Sequence, residues 1–296
     1  MINKRDFALT KLLLGLKSLN GITNQTLVTL LETKKTALIT TKTFNLDFVR
    51  SLGIANLNKY LPNVEQAWLN TINNTSKTLT IAQQQNIAIL YPYMPEYPQR
   101  LLKVSNYPAF IFCKGNIAAL NAAKMIGVIG TRQPNSQNSQ LGQKLTAEFV
   151  RQGCTTVGGL AVGSDTIGHQ TTLDNHGQTI AILPTALDER VYPAVNKYLA
   201  QNIVNHNGAL VSTYVPGTYS YGRNFVGHLI ERDQWQAAMS DGLYVIETHQ
   251  RSGTNHAIRH ALDEGKPVAI TTDNSINRNL QPISNQIDVS NFIKQL

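Results

Sequence analysis

The chain of 296 residues has only two cysteines, Cys113 and Cys154, and no CxxC pair. A disulfide framework or a zinc module therefore has no sequence basis, and a reducing cytoplasm is the expected compartment. There is no uninterrupted apolar stretch of about 18 residues, which excludes a predicted membrane helix. The run Leu12-Leu13-Leu14 is short, bracketed by Lys11 and Lys17, and has no small-residue cleavage site after it, so no secretory signal is expected. No G-x-x-x-x-G-K-[ST] loop is present, which argues against ATP hydrolysis of the P-loop kind. No G-x-G-x-x-G follows the first strand of the α/β pattern, which argues against a standard NAD dehydrogenase. His256 and His260 share a helical face but lack the Glu of H-E-x-x-H, so they read as structural or exposed, and no metal, cofactor or catalytic residue is expected.

What is present is a chain that is 42% hydrophobic, enough for a packed core, with a net charge of +8. A basic surplus suits a phosphate-rich partner through counterion release, and it equally suits a solvated basic surface. The basic residues are dispersed, with no run of five.

Four segments follow from pattern and punctuation. Residues 1–75 read as a small helical domain: Leu9, Leu12, Leu13 and Leu16 keep a helical period, Asn20-Gly21 breaks it, Thr26 to Leu31 resumes it, and Val49 to Leu52 ends at Gly53. Short helices split by glycine turns resemble SAM or helix-hairpin-helix modules; an accessory bundle without a ligand has the same pattern. Residues 76–120 read as a proline-rich connector, with short strands at Ile87–Leu90 and Ala109–Cys113 around Pro92, Pro95, Pro98 and Pro108. Residues 121–272 alternate apolar strands with amphipathic helices, which predicts an α/β fold: a Rossmann-like, doubly wound parallel sheet covered on both faces. The strands are expected at 125–129, 155–157, 179–183, 209–212, 243–247 and 267–270. Residues 273–296, rich in Asn and Gln, read as a loosely packed C-terminal tail.

In such a sheet, ligands bind beyond the carboxyl ends of the strands. The first strand ends in Gly130-Thr131-Arg132: a glycine that admits close approach, a hydroxyl with backbone donors, and a planar guanidinium fork. The second ends in Gly158-Gly159-Leu160-Ala161-Val162-Gly163-Ser164-Asp165, whose glycines lead into a helix N-terminus with Ser164 or Asp165 as its cap. The fifth is followed by Arg251-Ser252-Gly253-Thr254 just before a helix. Each loop alone is an ordinary turn; three at the ends of one sheet predict a nucleotide or phosphodiester ligand. The expected phosphate-binding set is Gly130, Thr131, Arg132, Gly159, Gly163, Ser164, Arg232, Ser252, Gly253 and Thr254. His169 reads as a packed helix histidine. Trp235 suits base stacking or helix–sheet packing, and Tyr219, Tyr221 and Phe225 form an aromatic loop that suits either.

These marks, together with Tyr97-Pro98-Gln99-Arg100-Leu101-Leu102, Tyr107-Pro108, Lys114-Gly115, Tyr192-Pro193 and Asn196, resemble the DprA/Smf family of DNA-processing proteins from about Leu79 to Ile270. The resemblance implies a Rossmann-like core that binds single-stranded DNA, forms a homodimer and helps load a RecA-type recombinase in natural transformation. It places Gly130, Thr131 and Arg132 on DNA phosphates and Arg232 in the position of a DNA-contacting arginine. The sequence departs from the family where Arg-Asn-Arg becomes Arg232-Asp233-Gln234, where Leu229 replaces an aromatic, and in having no expected C-terminal winged helix. The alternative is a nucleotide-binding sensor, or a phosphoribohydrolase-like enzyme of the lysine-decarboxylase-like superfamily. Its G-G-x-G-T-x-x-E motif matches at Gly253-Thr254 but has Ala257 in place of the acid/base glutamate, so no enzymatic activity is expected.

Overall fold

The structure, a computed structural model, describes residues 4–19, 21–40, 46–54, 64–219, 222, 224–271 and 280–296. Helices α1 (Lys4–Lys17), α2 (Asn24–Thr33), α3 (Lys35–Thr40), α4 (Leu46–Ser51) and α5 (Val64–Gln84) precede the sheet. Helix α2 starts where the Thr23 hydroxyl accepts a hydrogen bond from the Thr26 N–H, satisfying one of the orphan donors of its first turn. Gly21 and Gly53 sit at positive φ after α1 and α4, as the expected turns require.

The sheet has nine strands in the order β1-β2-β6-β5-β4-β3-β7-β8-β9. They are β1 (Ile87–Leu90), β2 (Ile111–Gly115), β3 (Met125–Ile129), β4 (Thr155–Gly158), β5 (Thr179–Ile182), β6 (Ala209–Ser212), β7 (Gly242–Val245), β8 (Val268–Thr271) and β9 (Gln281–Ile283). From β6 across to β9 all pairings are parallel; β1 and β2 pair antiparallel with each other, and β2 antiparallel with β6. The intervening helices are α6 (Ser136–Arg151), α7 (Ser164–Asp174), α8 (Lys197–Asn205), α9 (Phe225–Met239), α10 (Thr254–Asp263) and α11 (Gln286–Ile293). The chain steps outward from β3 through β4, β5 and β6, then returns to β7 on the other side of β3. The order therefore reverses between β3 and β7, and that switch point opens a crevice beyond the strand ends.

Each face of the sheet is covered. On one, Ile126 and Val128 of β3 pack with Phe149 of α6, Tyr244 of β7 and Phe292 of α11. On the other, Leu243 and Val245 pack with Ala237 of α9 and Ala257 and Ala261 of α10. A third cluster runs without a break from Leu9, Leu12 and Leu16 of α1 through Phe110 and Phe112 to Ile180, Ile182 and Trp235. Burying a leucine contributes about 1.5–3 kcal/mol, so α1 is anchored to the sheet half that carries β1 and β2.

Two segments depart from the sequence expectation. The proline-rich stretch is more than a connector. It supplies β1 and β2, and Tyr97 is fully buried with its hydroxyl donating to the Pro108 carbonyl at 2.6 Å. Arg100 clamps both Asp241 carboxylate oxygens at 2.7 Å, and Asp241 Oδ2 also accepts from the Met125 N–H that begins β3. This fork explains the Tyr97–Leu102 motif as a brace that sets β3 beside β7. The C-terminal segment is likewise no loose tail. Strand β9 pairs with β8, Asn285 caps α11 by accepting from the Ile287 and Asp288 N–H groups, and Phe292 is fully buried 6.1 Å from the Phe149 ring. Phe292→Leu is expected to cost about 1–2 kcal/mol in urea unfolding, where a loosely packed tail would register no change.

Candidate functional site

A 470 Å³ cleft lies at the switch point. Its walls include Ile129 to Arg132 at the end of β3, Leu229, Arg232 and Asp233 of α9, and Ser252, Gly253, Thr254, His256 and Ala257 at the start of α10. A smaller hollow adjoins it, lined by Gly159, Val162, Tyr192 and Pro193 and sharing Arg132, Ala161, Leu229 and Arg232 with the cleft. The structure thus brings Gly130, Thr131, Arg132, Gly159, Arg232, Ser252, Gly253 and Thr254 along one edge of the sheet.

Gly163 and Ser164 are not brought to that surface. Ser164 is fully buried, and its N–H and hydroxyl both donate to the Thr131 carbonyl, at 3.1 and 2.9 Å. A Cβ at Gly163, which has φ +80°, would lie 2.4 Å from the Arg132 carbonyl oxygen. These two residues support the Gly130–Arg132 loop from behind. That loop is also held from the side: the Thr131 N–H donates to the Glu247 carbonyl at 2.7 Å. A Cβ at Gly130 would lie 2.4 Å from Ser164 Oγ, so only glycine lets the loop nest here.

Nor do Ser164 or Asp165 cap α7; its N-cap is Gly163, with no side-chain bond. Asp165 instead accepts from the N–H groups of Gly159 and Ala161, at 2.9 and 3.2 Å, folding the glycine loop over its own carboxylate. Arg232 lies above that loop. It donates to the Gly159 carbonyl, approaches Asp165 Oδ2 at 3.8 Å and pairs with Asp233 Oδ1 at 3.0 Å. A Cβ at Gly159 would lie 1.6 Å from Arg232 Nη1, so Gly159 is fixed by the guanidinium. Arg232 is thus an internal strut with one open position: its Nε is buried without a hydrogen-bond partner among the described residues. Burial pushes the Asp165 carboxyl up to about 6 against the opposing pull of Arg232, and burial likewise raises Asp233.

Arg132 contrasts with Arg232. It is exposed at the junction of the cleft and the hollow, with no ion pair among the described residues. The Ser252 hydroxyl donates to Thr254 Oγ1 at 3.0 Å and accepts from the Thr254 N–H at 3.3 Å, ordering the entry to α10, whose dipole places partial positive charge at the cleft.

Residues to which sequence reasoning gave no role do much of the positioning. Glu247 Oε2 accepts from the Asn135 N–H and Asn138 Nδ2, at 2.9 and 3.0 Å, tying the end of β7 to the start of α6. Asn196 Nδ2 donates to the Leu160 carbonyl at 2.8 Å and holds the glycine loop. Trp235 takes the packing role: it is 5% exposed, with Nε1 on Glu231. His169 is buried and packed. Phe225 stands edge-on to Tyr192 at 4.8 Å, Tyr219 is exposed, and Tyr221 lies outside the described residues. Cys113 and Cys154 are buried free thiols. Among the described residues no cluster of three or more His, Cys, Asp or Glu could hold a metal, and no helix is long and apolar enough to cross a membrane.

A doubly wound sheet with small-residue loops converging on its switch point defines a Rossmann-like protein with a cleft beyond its strand ends. Within that class the particular family is fixed by sequence: residues 88–288 match the family described as DNA recombination-mediator protein A, and the chain belongs to it. It is similar to the DNA processing protein DprA of Bacillus subtilis, at 29% identity over 65% of this chain and 63% of that protein. It is also similar to DprA of Streptococcus pneumoniae, at 32% identity over 58% of each. The matches span less than two thirds of these curated relatives. The fold resembles the crystal structure of DprA from S. pneumoniae, with a TM-score of 0.74 at 23% identity over 98% of both chains. It also resembles a structure of Helicobacter pylori DprA described for its single-stranded DNA binding mode, with a TM-score of 0.60 at 24% identity over 70% of this chain and 94% of that one.

Proposed function

We propose that this protein binds single-stranded DNA along the switch-point edge and serves DNA processing during transformation, as a homodimer that assists a RecA-type recombinase. The observation that carries the reading is the convergence of the Gly130–Arg132 and Ser252–Thr254 loops in one cleft, with the exposed, unpaired Arg132 at its rim. The net charge of +8 supports an anionic ligand. The H. pylori relative described above, with its single-stranded DNA binding mode, points the same way. The work is positioning, with phosphates held by amides, hydroxyls and a guanidinium and no bond made or broken.

The test is fluorescence anisotropy with a labelled single strand, a duplex and mononucleotides across a salt series. Single-strand affinity should exceed the others and fall steeply with salt. Arg132→Ala should weaken single-strand binding about tenfold and make the salt slope shallower by about one. Equal affinity for the variant and the parent would remove Arg132 from the site, and preferential mononucleotide binding would favour the sensor reading. Ala257 is 1% exposed on the cleft wall, where a hydrolase would need its carboxylate, so no free base should be released from nucleoside monophosphates. Chromatographic detection of free base would contradict this.

A further inference from the structure

The opposite side of α9 faces a second cavity. While Arg232 and Asp233 point to the cleft, Glu231, Gln234 and Trp235 line an 870 Å³ space closed by α1, α5 and the segment after β6. This volume lies within the range of small-molecule sites, about 300–1,000 Å³. Its walls combine apolar surface from Leu14, Ile22, Ile81 and Phe110 with a few polar groups.

Those polar groups are not equivalent. Glu231 is already held: Tyr214 donates its hydroxyl to Oε2 at 2.7 Å, and Trp235 Nε1 lies 3.4 Å from Oε1. Thr78 donates to the Pro216 carbonyl at 3.1 Å, and Thr75 to Thr71 at 2.9 Å. Lys17 is different. Its ammonium, at the end of α1 on the cavity wall, has no hydrogen bond and no ion pair within 4 Å among the described residues, and Lys77 adds a second positive charge. Burial lowers the Lys17 pKa, with Glu231 pulling it back up, as expected of an ammonium that lacks a counter-ion in contact. A partly desolvated cation with no partner in contact among the described residues, beside aromatic and aliphatic walls, is complementary to an anion with an apolar body.

We propose that this cavity takes one small organic anion, its apolar or aromatic body against Phe110, Ile81 and Leu14 and its acid group on Lys17. The assignment does not depend on DNA binding at the cleft.

The probe is 8-anilinonaphthalene-1-sulfonate, an aromatic anion, titrated into the full chain carrying Trp68→Phe. This leaves Trp235, on the cavity wall, as the sole tryptophan. One dye should bind per chain, brightening as it quenches Trp235. Lys17→Met should weaken binding about tenfold, the equivalent of one charge-assisted contact, while Lys17→Arg stays close to the parent. Removing a partly desolvated charge leaves the fold intact, so the Met variant reports on binding. A second variant, Ile81→Phe with Val215→Phe, narrows the cavity and should abolish the quenching. Unchanged affinity in Lys17→Met, or unchanged Trp235 quenching in the narrowed variant, would overturn the proposal.

Discussion

Replacing Arg232 by methionine is expected to destabilise the protein by about 3–5 kcal/mol at pH 7.5, more than removal of any exposed cation. Arg232 is 7% exposed and lies between the buried carboxylate of Asp165 and the largely buried one of Asp233, while it also donates to the Gly159 carbonyl. Methionine fills much of the volume and removes the charge, which leaves both carboxylates buried without their cation. Asp165 would lose the interaction that draws its pKa down and would rise above its present value of about 6. A carboxyl whose folded pKa lies above its unfolded one is destabilising once the pH exceeds the unfolded pKa. The deficit of the variant should therefore be small near pH 4 and largest above pH 7. Asp165→Asn in the same background should recover part of the loss at pH 7.5, because the amide oxygen can still accept from Gly159 and Ala161. Urea unfolding of the parent and the two variants at pH 4 and pH 7.5 checks this, and a pH-independent deficit would contradict the charge argument. The neighbouring sequence explains this structural role: with Asp233 directly after it, Arg232 has its counter-ion at 3.0 Å, whereas Arg132 has none among the described residues.

The parallel half of the sheet was legible in sequence because most of its strands are short apolar runs that alternate with amphipathic helices, and the exception, Thr155-Thr156-Val157, is marked by the Gly158-Gly159 turn that ends it. The switch-point loops were legible for the same reason: their position follows from strand order. The antiparallel strands β1 and β2 were recognised as strands, but four prolines concealed their place in the sheet, since only the long-range clamp of Arg100 on Asp241 reveals that this segment is built into the core. Strand β9, Gln281-Pro282-Ile283, carries almost no apolar signal and is fixed by pairing with β8. The orientation of Arg232 could not be read from its spacing, because α9 is buried on more than one face and sends adjacent residues to opposite cavities. Local rules named Asp165 as a helix cap; tertiary closure of the glycine loop made it an acceptor for Gly159 and Ala161 instead.

The pH dependence of stability should be shaped by two buried groups of opposite sign. His169 is packed beneath Gly158, with Nδ1 2.7 Å from Thr179 Oγ1 and Nε2 buried without a hydrogen-bond partner among the described residues. Burial, reinforced by Arg232, lowers its pKa to about 3. Between that value and the unfolded value of about 6.5 the unfolded chain binds the extra proton, so stability is lost as pH falls through this window. Asp165 acts the other way. Its folded pKa of about 6 exceeds the unfolded value of about 3.9, so the folded chain holds the extra proton there and stability is lost as pH rises through that window. The two contributions overlap between about pH 4 and 6 and should nearly cancel, leaving the parent protein with a flat profile there. Separating them should produce large, opposed slopes. Asp165→Asn removes the carboxyl, and this variant should lose about 3 kcal/mol between pH 6.5 and 4 as His169 resists protonation. His169→Gln removes the imidazole, and this variant should gain about 2 kcal/mol between pH 6 and 4 as Asp165 becomes neutral. Chemical unfolding at half-unit pH steps measures both. Slopes of the same sign in the two variants would show that other groups control the acid response and that the pair beneath the glycine loop does not.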